Sequence, residues 1–558
     1  MKLRYFHLRG APPIFDLAIP FPREPILRRD LSVRFVVGVN GSGKTRLLQA
    51  FTEILLALGG KSRRLPYPFT LAYDIGTPNP RTVFIHNPEG EAPEAEPVWI
   101  EFEACLPEET DWAALEQMDW KDGTPPAPVH NRYLSDVPLS VPVDEYLPAP
   151  ILVYTSGQTD TWERLFTVSL FESDLDPAQQ PLVEEMMEER PSGWTHSKER
   201  DYQEQIGGAG PSDAAGLESG YRTAQSAIFM DGFRLKLAAA AVTLHLAYRD
   251  RDMPDGESSD PTLRALLDEI GWDAPVVLSL QLTQAPQDLR ETGMRDQLRK
   301  LYEAASSVLR PPEPGEGRRL VFDLGKSISD TAGDDVSSQG ARTTLEALLE
   351  TLGGEHPTPF TVFRAFHAWW ELGLLTDVDL VFRHRLVPDL MRANWLSDGE
   401  RMFLGRIALF YLLQDMDDAL LILDEPETHF NDVWKRQLVD ILDRALKDQK
   451  IEVVISTHSS IALTEAFAQE IALLKNGTLG RVTTPTFGSD PSEIMINVFD
   501  APDSIGERAL EYLDTLLDKT DWTPAEIEEL GQLIQHIGPG YYRSELRIKW
   551  RQLRASQG

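Results

Sequence analysis

The chain is 558 residues long, 42% hydrophobic and 25% charged, which is enough for a large core and more than one domain. Its formal net charge of −34, from 88 acidic against 54 basic residues, repels nucleic acid at long range and disfavours high-affinity duplex binding by this chain alone. Cys105 is the single cysteine, which excludes an intrachain disulfide and a cysteine metal cluster; no run approaches the roughly 18 apolar residues of a membrane span and Met1–Phe6 has no signal-peptide character, so a cytoplasmic protein with no membrane partner is expected.

Met1–Phe6 reads as a first strand, and Val33-Arg34-Phe35-Val36-Val37 as a short buried one. The latter runs into Gly38-Val39-Asn40-Gly41-Ser42-Gly43-Lys44-Thr45, a complete G-x-x-x-x-G-K-[ST] phosphate loop, and then into a helical segment from Arg46. Glycine lets the backbone turn its N–H groups inward, and the helix start adds its positive dipole end. The candidate nucleotide-binding residues are Asn40, Gly41, Ser42, Gly43, Lys44, Thr45 and Arg46. Lys44 can reach the β- and γ-phosphates of ATP, and Thr45 can bind Mg²⁺. Thr82–His86 and Val98–Glu103 read as early antiparallel strands. Ile151–Thr155 is a further strand, running into a Gly157-Gln158 turn.

From 161 to 390 the pattern is mainly helical, with amphipathic segments at Phe229–Tyr248, Thr343–Leu352 and Arg364–Leu375. Polar Gly/Ser/Pro stretches at Arg190–Thr223, Asp252–Pro261 and Arg310–Arg318 separate them as long or mobile loops. No sustained heptads and no Cys-x-x-Cys hook occur there, which predicts a compact head rather than a long coiled arm.

Leu396-Ser397-Asp398-Gly399-Glu400 precedes an apolar helix, Met402–Leu413. Ser397 and Glu400 fit a capping box, and Ser397, Gly399 and the helix start together make a second anion site. Ala419–Leu423 is a continuous apolar run suited to a parallel strand covered on both faces, and it ends in Asp424-Glu425. Ligands of such sheets sit at the carboxyl ends of the strands. Asp424 is therefore a candidate Mg²⁺ ligand, and Glu425 a candidate to orient or deprotonate the attacking water. A local helix cap accounts for Asn431 and Asp432, and a place in the nucleotide site is the other reading for His429 and Asn431. Ile451–Thr457 is a β-branched strand followed by His458, and Asn476-Gly477 marks a hairpin. Beyond about 485 lies a small helical appendix, whose tail from Tyr541 to Arg554 carries five basic residues against one acid. A solvated helix face accounts for that tail, and docking to a partner protein or to phosphates is the sharper reading.

In order, spacing and chemistry these motifs resemble the ABC-type ATPases of the RecF, SMC-head and OLD-like group, most specifically over residues 33–51 and 395–460. Leu396–Glu400 is similar to the family's LSGGQ signature, departing from it at Asp398 and Glu400, which leaves room for slow hydrolysis. The resemblance implies an α/β ABC-type P-loop head, with a mixed core sheet and an antiparallel side sheet. It divides the chain into a first lobe (1–160), a helical insert (161–390), a second lobe (391–485) and a C-terminal appendix (486–558). It also implies ATP hydrolysis in a homodimer, where Ser397 and Gly399 face nucleotide held by the other subunit. His458 becomes a catalytic switch residue with Glu425 and Lys44, and Gln158 a glutamine-loop ligand of nucleotide and Mg²⁺. Asp424-Glu425-Pro426-Glu427-Thr428-His429-Phe430 and the compact insert look like the ATPases of bacterial anti-phage systems, and Thr486–Ile494 with Gly538–Arg543 is similar to the Septu-type (PtuA-like) ATPases, some of which accompany retrons. That finer likeness implies a partner nuclease of the HNH type, together with retron RNA/DNA or a reverse transcriptase. A RecF-like DNA-repair ATPase and a non-hydrolysing ATP-bound scaffold are the alternatives.

Overall fold

Alternating apolar residues at the front of the chain form a hairpin, β1 (Lys2–Ala11) and β2 (Ile14–Pro20), before the buried β3 (Ser32–Val37). A computed structural model of the chain describes residues 1–23, 31–59, 67–88, 97–102, 104–118, 131–133, 146–171, 227–254, 256–283, 292–309, 317–328, 342–446, 448–501 and 505–557. After β3 come helix α1 (Lys44–Gly59), strands β4 (Phe69–Ile75), β5 (Arg81–Asn87) and β6 (Val98–Phe102), α2 (Trp112–Glu116), β7 (Asn131–Tyr133) and β8 (Ile151–Thr155). Next are α3 (Asp160–Phe171), β9 (Ala227–Phe229), α4 (Gly232–Asp250), α5 (Pro261–Asp268), β10 (Trp272–Leu282), α6 (Thr292–Ala304), β11 (Ser307–Leu309) and β12 (Arg318–Asp323). A short pair, β13 (Ser327–Ile328) and β14 (Arg342–Thr343), leads to α7 (Thr344–Gly353), α8 (Pro359–Glu371), β15 (Leu375–His384) and β16 (Leu390–Arg392). The first compact unit, Met1–Gly488, is completed by α9 (Asp398–Tyr411), β17 (Leu420–Asp424), α10 (Asp432–Arg436), α11 (Leu438–Leu446), β18 (Glu452–Thr457), β19 (Ile471–Lys475) and β20 (Thr478–Gly480).

A seven-stranded sheet in the order β20-β19-β3-β18-β17-β8-β9 is parallel throughout except for the β19–β20 hairpin. Asn476 (φ 52°) and Gly477 (φ 75°) both take the left-handed conformation that a tight two-residue hairpin turn demands. A six-stranded antiparallel sheet, β2-β1-β4-β5-β6-β7, lies on the other side of α1. One apolar core runs from Phe6, Leu8 and Leu71 through Leu47, Phe51 and Ile54 of α1 to Val36, Ile422 and Val454 of the parallel sheet. The mixed core sheet and the antiparallel side sheet that the resemblance implied are both present. The two sheets are also tied by charge: buried Glu452 accepts from Leu3 N at 3.0 Å and from Arg34 Nε at 3.3 Å.

The insert differs from the mainly helical expectation. Helices α4 and α8 are there, but so is a five-stranded antiparallel sheet, β11-β12-β10-β15-β16. The helix expected at Arg364–Leu375 ends instead at Glu371. Gly373, at φ 67°, turns the chain and Leu375 opens β15. Likewise Phe229 closes a strand, and Asp231 caps α4 two residues later. The polar stretch 190–223 and residues 310–316 lie outside the described residues.

The second unit, Ser489–Gly558, opens with α12 (Pro491–Asn497), and its α13 (Glu507–Asp518), α14 (Pro524–His536) and α15 (Tyr541–Gln557) pack around Leu513, Leu530, Ile534 and Leu546. Thr523, Pro524 and Glu526 form the capping box that opens α14. The tail helix is not uniformly solvated. Lys549 Nζ donates to Lys519 O at 2.8 Å and to Leu517 O, at the C-terminal end of α13, whereas Arg547, Arg551 and Arg554 are exposed.

Candidate functional site

The phosphate loop leaves β3 and closes on α1. Gly38 cannot carry a side chain, because a Cβ there would stand 2.4 Å from Ser42 Oγ and 2.5 Å from Leu474 O. Gly43 holds φ 101° with Pro13 of the β1–β2 turn 3.3 Å from a Cβ position. A cleft of about 360 Å³ opens above, lined by Pro13, Asn40, Gly41, Gly43, Lys44, Thr45, Arg46 and Glu425; that volume is in the range of small-molecule sites. Ser42 faces inward, and its buried hydroxyl has no partner among the described residues. Lys44 Nζ donates to Gly38 O at 2.9 Å and lies 3.9 Å from Glu425 Oε1. Burial draws its pKa down, opposed by Glu425, Asp424 and Glu427.

Strand register builds the opposite wall. Asp424 pairs with Thr155 of β8 on one side and Ser456 of β18 on the other, so one carboxylate sits between two hydroxyls at the strand ends. Thr155 Oγ1 donates to it at 3.1 Å, Thr45 Oγ1 at 3.1 and 3.2 Å, and Ser456 Oγ also donates. Asp424 is 3% exposed, and its burial pushes its pKa up despite those hydroxyls. A buried acid surrounded by neutral donors, with the phosphate-loop Thr45 beside it, is a donor set that suits a hard divalent cation. Among the described residues no group of three His, Cys, Asp or Glu forms a metal cluster, so such a cation would share its coordination with substrate and water.

Glu425 follows in a left-handed backbone (φ 51°), with its N–H donating to Ser456 O at 3.0 Å. Its carboxylate meets His458 Nδ1 at 3.0 Å. That hydrogen bond holds Glu425 below the usual carboxylate range and raises His458. The structure thus brings Lys44, Thr45, Asp424, Glu425 and His458 to one cleft. Gln158 is exposed two residues past Ser156, whose hydroxyl donates to Glu425 O at 2.7 Å. Ser397 and Gly399 sit elsewhere on this chain. Ser397 caps α9 in a reciprocal box with Glu400 and is exposed, and a Cβ on Gly399 would meet nothing within 4 Å. Asp398 pairs with Arg401 and projects into solvent. Asn431 caps α10 through Trp434 N at 2.9 Å, and His429 is exposed at φ 69°.

Sequence reasoning missed four residues of this wall: Thr155, Ser456, Thr457 and Glu427. Thr457 Oγ1 donates to Glu427 Oε1 and accepts from Ser459 N at 2.9 Å. Glu427 is 2% exposed, burial pushes it up, and its Oε2 has no partner among the described residues. Consecutive residues Ser456, Thr457 and His458 therefore each hold one of Asp424, Glu427 and Glu425. The hydroxyl pair directly before His458 was the available signal.

Residues 354–464 match the family model described as "AAA domain, putative AbiEii toxin, Type IV TA system". The chain is 26% identical over 159 residues to "Retron Ec83 probable ATPase" of Escherichia coli, covering 26% of this chain and 29% of that protein. It is 26% identical over 143 residues to the energy-coupling factor transporter ATP-binding protein EcfA2 of Ligilactobacillus salivarius (strain UCC118), covering 25% of this chain and 47% of that one. The matched stretches span less than half of either relative. Among solved structures, the SMC head domain from Thermotoga maritima aligns over 87% of this chain and 100% of its own, with 11% identity and a TM-score of 0.31. Phosphate loop, acidic strand and these partial matches make the chain similar to P-loop ATPases, ABC-type ATP-binding proteins among them.

Proposed function

We propose that the chain binds ATP with Mg²⁺ and hydrolyses it slowly, in a dimer that gates a partner nuclease in anti-phage defence. The observation that carries the ATP reading is the convergence of Lys44, Thr45, Asp424 and Glu425 on the cleft above Gly38–Thr45. Backbone N–H groups of the loop and Lys44 would hold the phosphates. Thr45 and Asp424 would hold Mg²⁺, which when bound offsets phosphate charge. Glu425 is kept ionised by His458 and so is free to accept a proton as a water oxygen attacks the γ-phosphorus and the bond to the β–γ bridging oxygen breaks.

The dimer reading is supported by the exposure of Ser397 and the open space over Gly399 at the start of α9, where an incoming anion would take the place of the Glu400 carboxylate that accepts from Ser397 N at 2.8 Å and from its hydroxyl at 2.7 Å. Asp398 does not obstruct it, being paired with Arg401. The defence and nuclease reading draws on the retron ATPase likeness and the Asp-Glu-Pro-Glu-Thr-His-Phe run. Glu425→Gln tests the first part: phosphate release should fall to background while ATP-dependent dimers accumulate in light scattering. Binding of ATP without phosphate release by either form, even with partner and DNA present, would instead make the chain a scaffold. Plaque counts on cells carrying this gene with its neighbours, with and without Lys44→Ala, test the defence role.

A further inference from the structure

Arg406, in the middle of α9, is wholly buried and has no carboxylate partner among the described residues. Its Nε and Nη2 donate to the Tyr154 hydroxyl at 3.0 and 2.8 Å, its guanidinium lies 4.4 Å from the centre of the Phe430 ring, and Nη1 has no partner among the described residues. Always charged and buried against neutral groups, such a residue costs stability that an apolar side chain of similar length would not. Neither contact residue, nor its own place on the helix, is a random core position. Tyr154 immediately precedes Thr155, which donates to Asp424. Phe430 ends the loop that begins at Glu425 and carries His429 in a left-handed backbone. Arg406 itself lies two and a half turns from Ser397, on the same helix. Beyond it, Phe403 stacks on Trp434 at 4.0 Å, and Trp434 Nε1 donates to Glu269 at 2.8 Å, so the loop is also joined to the insert.

We propose that Arg406 is a positioning residue that locks the start of α9, the end of β8 and the 425–430 loop into one body. The segment that meets the partner's nucleotide and the segment that cuts this chain's own nucleotide then move together. This rests on the ATPase-dimer reading above. Cation–π and hydrogen-bond contacts hold all three segments through one planar group; Lys in its place could keep only one of these contacts, and Met neither. The phosphate loop is not part of the clamp, so ATP binding by the monomer should be untouched.

The test is the pair Arg406→Met/Tyr154→Phe in the full chain, which removes donor and acceptor together and strands no buried polar group. Thermal midpoint, binding of a fluorescent ATP analogue, kcat and KM for ATP, and ATP-dependent dimerisation are each measured. We expect a midpoint equal to or above wild type, analogue affinity and KM within about twofold, and kcat lower on the order of ten- to a hundredfold with dimers lost. Arg406→Lys should not rescue kcat. Full kcat and full dimerisation in the double variant would overturn the proposal, and so would a lowered midpoint with activity falling only in proportion to the unfolded fraction. If wild type itself releases no phosphate, the hydrolysis reading fails, and Arg406 is judged on dimerisation alone. Dimers formed equally by wild type and variant then refute it.

Discussion

Removing the Thr457 hydroxyl with Thr457→Val perturbs the cleft wall at a residue outside the proposed nucleotide and cation contacts. Glu427 is 2% exposed and already has one oxygen without a partner among the described residues, so losing the Thr457 bond leaves it little beyond its own backbone N–H. A stranded buried acceptor costs roughly 1–3 kcal/mol, and the Ser459 N–H loses its acceptor for about 1 kcal/mol more, giving about 2–4 kcal/mol for the single change. Glu427→Met alone strands the Thr457 hydroxyl at a cost of about 1–2 kcal/mol. With both changes made, two apolar groups face each other, the stranded-acceptor and stranded-hydroxyl penalties both disappear and only the Ser459 loss remains, so the double-mutant cycle should show a coupling of roughly 2–5 kcal/mol. Urea denaturation of the four proteins, followed at the transition of the unit containing residues 1–488, measures it. Strict additivity, within about 0.5 kcal/mol, would refute the claim that Glu427 and Thr457 stabilise each other.

Four further outcomes are expected. Gly43→Ala forces a left-handed backbone on a side chain whose Cβ would stand 3.3 Å from Pro13, which costs roughly 1–2 kcal/mol and should weaken ATP binding about 5- to 30-fold in equilibrium titration. Ser397→Ala should loosen α9 by about 1 kcal/mol, and Ser397→Asn should restore the cap; if Asn also restores phosphate release, capping is the whole role of Ser397. On the side sheet, His7 bonds Glu116 at 2.8 Å and Asp16 at 2.6 Å. Burial lowers its pKa, but these bonds outweigh burial and raise it, while Glu116, although burial pushes it up, is carried below its ordinary value by the His7 bond. The stabilising charge pair is therefore complete between the ordinary values, 4.5 for Glu116 and 6.5 for His7; it fades as pH rises through the raised His7 value or falls through the lowered Glu116 value. Thermal midpoints of His7→Asn should fall short of wild type most near pH 5.5–6 and least above pH 9, and a pH-independent gap would contradict this. Lys549→Met should speed amide exchange at the C-terminal end of α13 by removing the ammonium that satisfies Lys519 O, as read by mass spectrometry.

The parts of the site visible in the chain were those in which chemistry is written next to the strand that carries it. Gly38–Thr45 follows β3 directly, Asp424 ends β17 with Glu425 next to it, and His458 directly follows β18, so each local pattern was sufficient. Thr155 and Glu427 were not legible, since nothing local marks them, and Ser456 only as half of the hydroxyl pair before His458. Thr155 and Ser456 become ligands of one carboxylate because three separate strands end level. The insert sheet escaped for a different reason: β10 has a long half-buried stretch, and the alternation of β15 begins directly where an amphipathic helix stops, so helical periodicity carried the reading past Gly373.

Register is therefore as much a part of the site as the residues themselves. At their starting ends Leu420 pairs with Ile151 and with Glu452, and Glu452 is pinned by Leu3 N and Arg34, far from the nucleotide cleft. A one-residue slip of β18 against β17 would bring Ile455 or Thr457 level with Asp424 in place of Ser456, turn the Ser456 hydroxyl to the other face, and carry His458 away from Glu425. The continuous apolar run of β17 would tolerate such a slip, since it is buried on both faces and its side chains do not discriminate registers. The buried Glu452–Arg34 pair does discriminate, because a displaced Glu452 would leave a charge without its partner in the core. Its place at the far end of the sheet is where a register lock can act without competing with phosphate for cations.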